Sequence, residues 1–173
     1  MNPLRKDPVR MLALAGMMTA LTCIATMVIH IPSPTNGFVN LGDGFVILSG
    51  LLLGPLFGAA AAGIGSMLAD LLLSYAHYAP ATLLIKGLAA LAAALIYRAL
   101  AGKCKETPAA VFAGTGSLII VTAGYFLYSS QFLGKGAAAL SSVPGNLFQG
   151  ALGIVTAALL APLFRRILSQ TGW

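Results

Sequence analysis

Apolar residues run through this chain in long, nearly unbroken stretches, separated by short polar segments rather than patterned with an amphipathic period. Six stretches can be drawn, over residues 9–31, 44–53, 55–73, 80–100, 108–130 and 143–168. Five of them reach the roughly 20 residues that a helix needs to cross a bilayer core. The second is too short. It is expected either to tilt or to join the third through a turn at Gly54-Pro55 lying inside the membrane, where non-helical backbone is tolerated only if protein or water covers it. Four of the stretches begin at or just after a proline, whose missing N–H costs nothing in a first helical turn. Transmembrane barrels alternate apolar and polar residues over about ten positions; these runs are continuous and rich in Leu and Ala.

Between the first and second stretches lies PSPTNGFVNLGD, residues 32–43. Its two prolines, two glycines and two asparagines cannot continue a helix, and it carries no Lys or Arg. A polar, structured loop in so apolar a chain calls for a reason.

Composition sharpens the class. The 173 residues are 58% hydrophobic and 8% charged, against about 25% charged in soluble domains. Too little polar surface exists to cover a globule in water. The fold class expected is an all-α integral membrane protein of six transmembrane helices, forming a single membrane domain over residues 1–173. The basic N-terminus followed by an apolar run imitates a secretory signal. That run is about twenty residues long and no small-residue cleavage site precedes the loop, so a retained helix is expected. Cys23 falls mid-way along the first stretch and Cys104 in a basic loop, at different depths, which argues against a disulfide.

Charge sets the orientation. Arg5, Lys6 and Arg10 precede the first stretch, Arg98, Lys103 and Lys105 follow the fourth, and Arg165 and Arg166 end the sixth: eight of the ten basic residues. Six crossings place all eight on one side, which the positive-inside rule makes cytoplasmic, together with both termini. The loops at 32–43, 74–79 and 131–142 then face outward and hold one basic residue, Lys135. The net charge of +6 is thus a topology signal. Scattered over separate helix ends, it forms no stripe for nucleic acid.

Asp70 and Lys86 do not belong in lipid. Each lies about 6–10 Å below the outer surface at 1.5 Å per helical residue, and a charge near a helix centre costs on the order of 3 kcal/mol to insert. They are expected to form an ion pair locking the third and fourth helices, and one or both also to line an outward cavity. Gly58, Ala62, Ser66 and Asp70 form a stripe of small residues at four-residue spacing, which lets helices approach closely. A similar stripe, Ala13, Gly16 and Ala20, marks the first helix; it serves either docking within the molecule or a partner helix. Asn146 and Gln149, three apart, share a face near the outer end of the sixth helix. Such amides tie helices together or recognise a heteroaromatic ligand by paired donor and acceptor. Tyr125 and Tyr128 also share a face, as interfacial anchors or stacking partners.

Several chemistries are excluded. No GxxxxGK[ST] phosphate loop is present, so the chain cannot itself hydrolyse ATP to drive transport. No nucleophile–base set or HExxH motif occurs, and four acids in 173 residues leave little for acid–base catalysis. No enzyme, no cofactor and no metal site is expected; His30 and His77 lack companions at ligand spacing.

The runs ALTCIATMVIHIPSPTNGFVNLGD, GPLFGAAAAGIGSMLADLL, YAPATLLIKGL and VPGNLFQG together resemble the substrate-binding S component of energy-coupling factor (ECF) vitamin transporters. The likeness is nearest to the riboflavin-type group, which also includes pyridoxine and hydroxymethylpyrimidine binders, and it spans residues 14–153. It implies a prokaryotic-type, multi-pass plasma-membrane protein that captures a vitamin from outside and works with a membrane coupling subunit (the T component) and two cytoplasmic ATPases. It further implies that the loop after the first helix gates the site. The site positions would be Asn36, Asn40 and Asp43 in the loop, Lys86, Tyr125, Asn146 and Gln149. The first helix of the family carries small residues, often Ala-x-x-x-Ala, against the coupling subunit, where this chain has Gly16-x-x-x-Ala20. A pocket with Tyr, Asn, Gln and Lys but no Trp suits a small ring such as pyridoxine or hydroxymethylpyrimidine, with riboflavin as the alternative. The competing reading from another class is a non-transport membrane scaffold whose buried charges are purely structural.

Orientation is directly testable. Single cysteines replacing Ser33 and Ser142 are expected to react with an impermeant reagent added outside intact cells. Reaction of both only after permeabilisation reverses the topology.

Overall fold

The computed structural model describes residues 8–28, 30–32 and 38–170, and of residues 30–32, 38 and 39 the backbone only. Asn36, Ser33, Arg5 and Lys6 lie outside the described residues. The order is α1 (Pro8–Val28), β1 (His30–Pro32), β2 (Phe38–Asn40), α2 (Gly42–Leu53), α3 (Pro55–Leu72), α4 (Ala79–Leu100), α5 (Glu106–Leu127) and α6 (Val143–Gln170). A π-helical turn, Tyr128–Phe132, extends α5, and a 3₁₀ segment, Gly136–Ser142, leads into α6. The fold is helical apart from β1 and β2, which pair antiparallel with His30 opposite Asn40. Among the described residues, five segments are long and apolar enough to cross a membrane, and α2, with 12 residues, is a shorter apolar helix. Cys23 and Cys104 are unbridged.

The helix lengths agree with the apolar runs; burial explains their arrangement. On α1 the buried residues Met11, Leu14, Ala15, Met18, Thr22 and Thr26 fall on one stripe at helical spacing. Leu12, Ile24 and Val28 point away from the protein, as do Leu84, Leu88, Phe112, Ile119, Val155 and Leu159 on other helices. So much exposed apolar surface would aggregate in water and is the normal exterior in a bilayer.

The short α2 is the centre of the bundle. Ten of its twelve residues are buried, and α1, α3, α4 and α6 all pack on it. Small residues make this packing close. A Cβ on Gly50 would run into the Ala90 carbonyl, one on Gly58 would stand 2.8 Å from the Gly50 Cα, and one on Gly153 would stand 2.8 Å from the Asp43 Cβ. The alanines Ala89, Ala90, Ala93 and Ala94 do the same for α4. Without a hydrophobic drive between helices in lipid, such close approach is the main source of association. The stripe Gly58, Ala62, Ser66 and Asp70 is buried throughout, as the sequence predicts for a packing face.

The α2–α3 connection is a single residue. Gly54 has φ +83°, a conformation few L-residues adopt, and a side chain there would strike the Arg98 guanidinium. Pro55 then starts α3. The two helices form a tight hairpin, and α2 runs in the same direction as α4. Asp43 meets Lys86, Gly50 meets Ala90 and Ala94, and Gly54 meets Arg98. Lys86 is seven residues beyond Ala79, the first of α4, so α2 starts about 10 Å short of that end of the bundle. The β1–β2 segment sits at the missing end of α2. At the other end, a cavity of about 330 Å³ is lined by Gly54, Tyr97, Arg98 and Arg165, away from the buried polar residues of the core.

One boundary differs from expectation. Asp43 belongs to the first turn of α2 rather than to the preceding loop. The Asn40 side-chain oxygen accepts the Gly42 N–H at 2.8 Å, an Asx turn that ends β2 and starts the helix early. An acid there faces the positive end of the helix dipole.

Candidate functional site

Where α2 begins, five elements converge on a cluster of buried polar side chains. Asp43, 2% exposed, forms an ion pair with Lys86 on α4, itself 3% exposed. The second Asp43 oxygen accepts Gln149 Nε2 of α6 at 2.9 Å. Gln149 Oε1 in turn accepts the Asn40 backbone N–H at 2.8 Å. The amide is therefore oriented by both partners: its acceptor end faces an N–H and its donor end a carboxylate. Through this one side chain α6 is tied to α2 and to β2 together.

Lys86 Nζ also stands 5.5 Å from the centroid of the Tyr125 ring, a cation–π arrangement in a desolvated setting. The Tyr125 hydroxyl shares a 2.9 Å hydrogen bond with Thr82 Oγ1. Tyr78 packs edge-on against Tyr125, with centroids 6.2 Å apart. The Tyr78 hydroxyl accepts Lys135 Nζ at 3.1 Å and lies 3.4 Å from Ser129 Oγ. Tyr128 lies 5.7 Å from Tyr78 and donates its hydroxyl to the His77 carbonyl. A tyrosine wall thus borders the charged cluster on the α4–α5 side.

Of the residues expected at a site, the structure joins Asn40, Asp43, Lys86 and Gln149 in one network and places Tyr125 against it. Asn146 is buried on α6, one turn from Gln149 toward the same end. Asn36 is outside the described residues. Ala13, Gly16 and Ala20 are all exposed on α1, and nothing lies within 4 Å of a Cβ built on Gly16; they are no part of this cluster.

The ion pair is a correction. Lys86 was expected to neutralise Asp70, and it pairs with Asp43 instead. The reason is helix order: α2, inserted beside α4, brings its first turn level with Lys86, whereas Asp70 sits nearer the end of α3, against the Thr82 hydroxyl. Thr82, Tyr78 and Ser129 were not anticipated at the site. Thr82 was legible, since it stands four residues before Lys86 and so shares its helix face.

These elements build a membrane fold with a polar centre, and known proteins share it. A solved structure described as the S component of a bacterial ECF transporter has a TM-score of 0.67, covering 94% of this chain and 99% of its own, at 17% identity. That likeness speaks for the fold alone. A Pyrococcus woesei protein described as an uncharacterized protein in a gap 3' region is 29% identical over 148 residues, 81% of this chain and 97% of its own length. The family described as ECF-type riboflavin transporter, S component, matches residues 6–166. The chain belongs to this family. It is an S component, a multi-pass membrane protein of a transport family and not an enzyme.

In this S component the Asp43–Lys86 pair is a sharp structural test. Lys86→Met leaves a buried carboxylate without its cation and is expected to cost about 3–5 kcal/mol, read as a lower melting temperature in detergent. Asp43→Asn with Lys86→Met removes both charges while an amide can still bond Gln149, and is expected to recover most of the loss. A double variant as unstable as the single one shows that charge balance does not govern this position.

Proposed function

We propose that this S component binds a vitamin at the Asn40–Asp43–Lys86–Gln149 cluster and delivers it to an ATP-driven importer. The observation that carries the reading is the placement of that network. Four buried polar residues from β2, α2, α4 and α6 meet at the level where α2 stops short. A purely structural lock would need no missing helical turns above it. Membership of a transporter family favours this reading over an inert scaffold.

The proposed ligand is a small pyridine or pyrimidine vitamin, such as pyridoxine or hydroxymethylpyrimidine. Lys86 uses one of its three N–H donors on Asp43, which leaves donors for a ligand oxygen or ring nitrogen. Asn146 offers both a donor and an acceptor, and Tyr125 with Tyr78 offers aromatic edges and faces. In the six-crossing, N-in and C-in topology, the site opens outward and the loop after the first helix gates it. Asn40 is the hinge end of that gate, since its backbone N–H is held by Gln149. A second reading, riboflavin, is favoured by the description of the family.

Mass spectrometry of small molecules released from the purified protein separates these readings, followed by titration of the protein freed of them. Pyridoxine or hydroxymethylpyrimidine is the expected finding. Riboflavin establishes the second reading. Saturable binding of none of the three overturns a vitamin site.

Energy comes from separate ATPase subunits through a membrane coupling subunit, which we place against the exposed α1 stripe of Ala13, Gly16 and Ala20. Because that face is open, Gly16→Leu and Ala20→Leu are expected to fold and bind the vitamin normally. They should abolish uptake by blocking close helix approach. Normal uptake by both variants removes α1 from the coupling surface.

A further inference from the structure

Asp70 is the buried charge that the network leaves over. Three ionisable groups are buried together at the α2 end: Asp43, Asp70 and Lys86. Lys86 forms its ion pair with Asp43, and among the described residues no second cation forms an ion pair with Asp70. Asp70 is 4% exposed, and among the described residues its Oδ2 has no hydrogen-bond partner. Ser66 Oγ, one turn away on the same face of α3, is unpartnered as well. A buried carboxylate oxygen without a donor is costly, and native proteins leave few polar atoms in that condition. The Asp70 carboxyl lies near the Thr82 hydroxyl. The same hydroxyl bonds Tyr125, whose ring faces Lys86. Asp70, with its unpartnered oxygen, therefore lies beside the wall that the proposed site shares with α4 and α5.

We infer that Asp70 is a specificity residue that accepts an N–H from the bound heterocycle, and that the site selects a ring with an amino group or a protonated ring nitrogen. This rests on the reading of the cluster as a vitamin site and extends it. Two carboxylates against one ammonium leave the cluster short of positive charge, and a ligand that is cationic or N–H-donating supplies it. Lys86 and Asp70 then recognise opposite ends of the polar edge: Lys86 donates to an acceptor, and Asp70 accepts from a donor. A ligand lacking the N–H leaves that carboxylate oxygen unsatisfied. Rejection by an unpaired buried group is a stronger filter than any loss of apolar contact.

The test uses the whole detergent-purified chain and its Asp70→Asn and Asp70→Ser variants, which fill the position differently. Melting temperatures are measured without ligand. Dissociation constants are then measured for pyridoxine, hydroxymethylpyrimidine, riboflavin and a hydroxymethylpyrimidine analogue lacking the amino group. Without ligand both variants are expected to melt at or above the parent temperature, because the unsatisfied charge is gone. Affinity for the bound vitamin is expected to fall about ten- to a hundred-fold, the loss of one charge-assisted hydrogen bond. If that vitamin is hydroxymethylpyrimidine, the parent should prefer it to the amino-free analogue and the variants should not. A lower melting temperature in both variants makes Asp70 structural and overturns the inference. Unchanged affinity in a stable variant also overturns it, while leaving the vitamin site intact. Failure of the parent to bind any vitamin removes the site and the inference with it. Repeating the titrations with sodium replaced by N-methyl-D-glucamine gives a last check: binding lost on replacement assigns Asp70 to a metal cation instead.

Discussion

The buried contact between Asp43 and Lys86, closed by Gln149, is the constraint on which the rest of this structure hangs. Taking two charges into a low-dielectric interior costs several kcal/mol per ion, and mutual attraction offsets that only when the remaining hydrogen-bonding capacity is met. Asp43 meets it with both oxygens, one on Lys86 and one on Gln149. The contact also fixes register. A slide of α2 by one turn along α4 would strand both charges, so the pair sets where α2 begins relative to α4 and α6. Apolar packing alone tolerates such shifts more easily, because one alanine face resembles the next.

The packing around α2 is the complement of that polar lock. Gly50, Gly58 and Gly153 let backbones close to distances that a methyl group would forbid. Above the level of Asp43, the helix is simply absent. The fold is divided along its axis into an apolar part, held by small-residue contacts, and a polar part, held by hydrogen bonds from Asn40, Gln149, Thr82 and the tyrosines. The unsatisfied Asp70 and Ser66 oxygens lie at this divide. Buried polar atoms without a partner are a cost to stability.

The exterior follows different rules. Leucine, isoleucine and phenylalanine side chains cover the lipid-facing surface of every long helix. The face of α1 that bears Ala13, Gly16 and Ala20 departs from this pattern, being exposed and small rather than exposed and large. In lipid, small residues contribute little as exterior and much as an approach surface. The polar cluster and this stripe are separate features of the same chain: one is enclosed, the other open.

Hydropathy and charge are local properties read against a slab-shaped solvent, and whatever depends on depth alone was legible in the sequence. The apolar runs coincide with the helices to within a few residues, the shortness of α2 was visible, and Asp70, Lys86, Asn146 and Gln149 stood out as polar groups within apolar spans, while Asn40 and Asp43 came only from the family resemblance. Depth, however, is one coordinate. It says nothing of which helix neighbours which, or how each is rotated. Lys86 and Asp70 were matched by depth, yet Asp43 took the lysine because α2, inserted at the centre, turned its first residues toward α4. Asp43 itself read as loop until the Asn40 turn drew it into the helix. Thr82 and Tyr78 gained their roles only when α5 came to lie beside α4. Which polar groups must be satisfied was written in the composition of the spans; which pairs satisfy them was decided by helix order and rotation, since those arise from contacts between segments far apart in the chain.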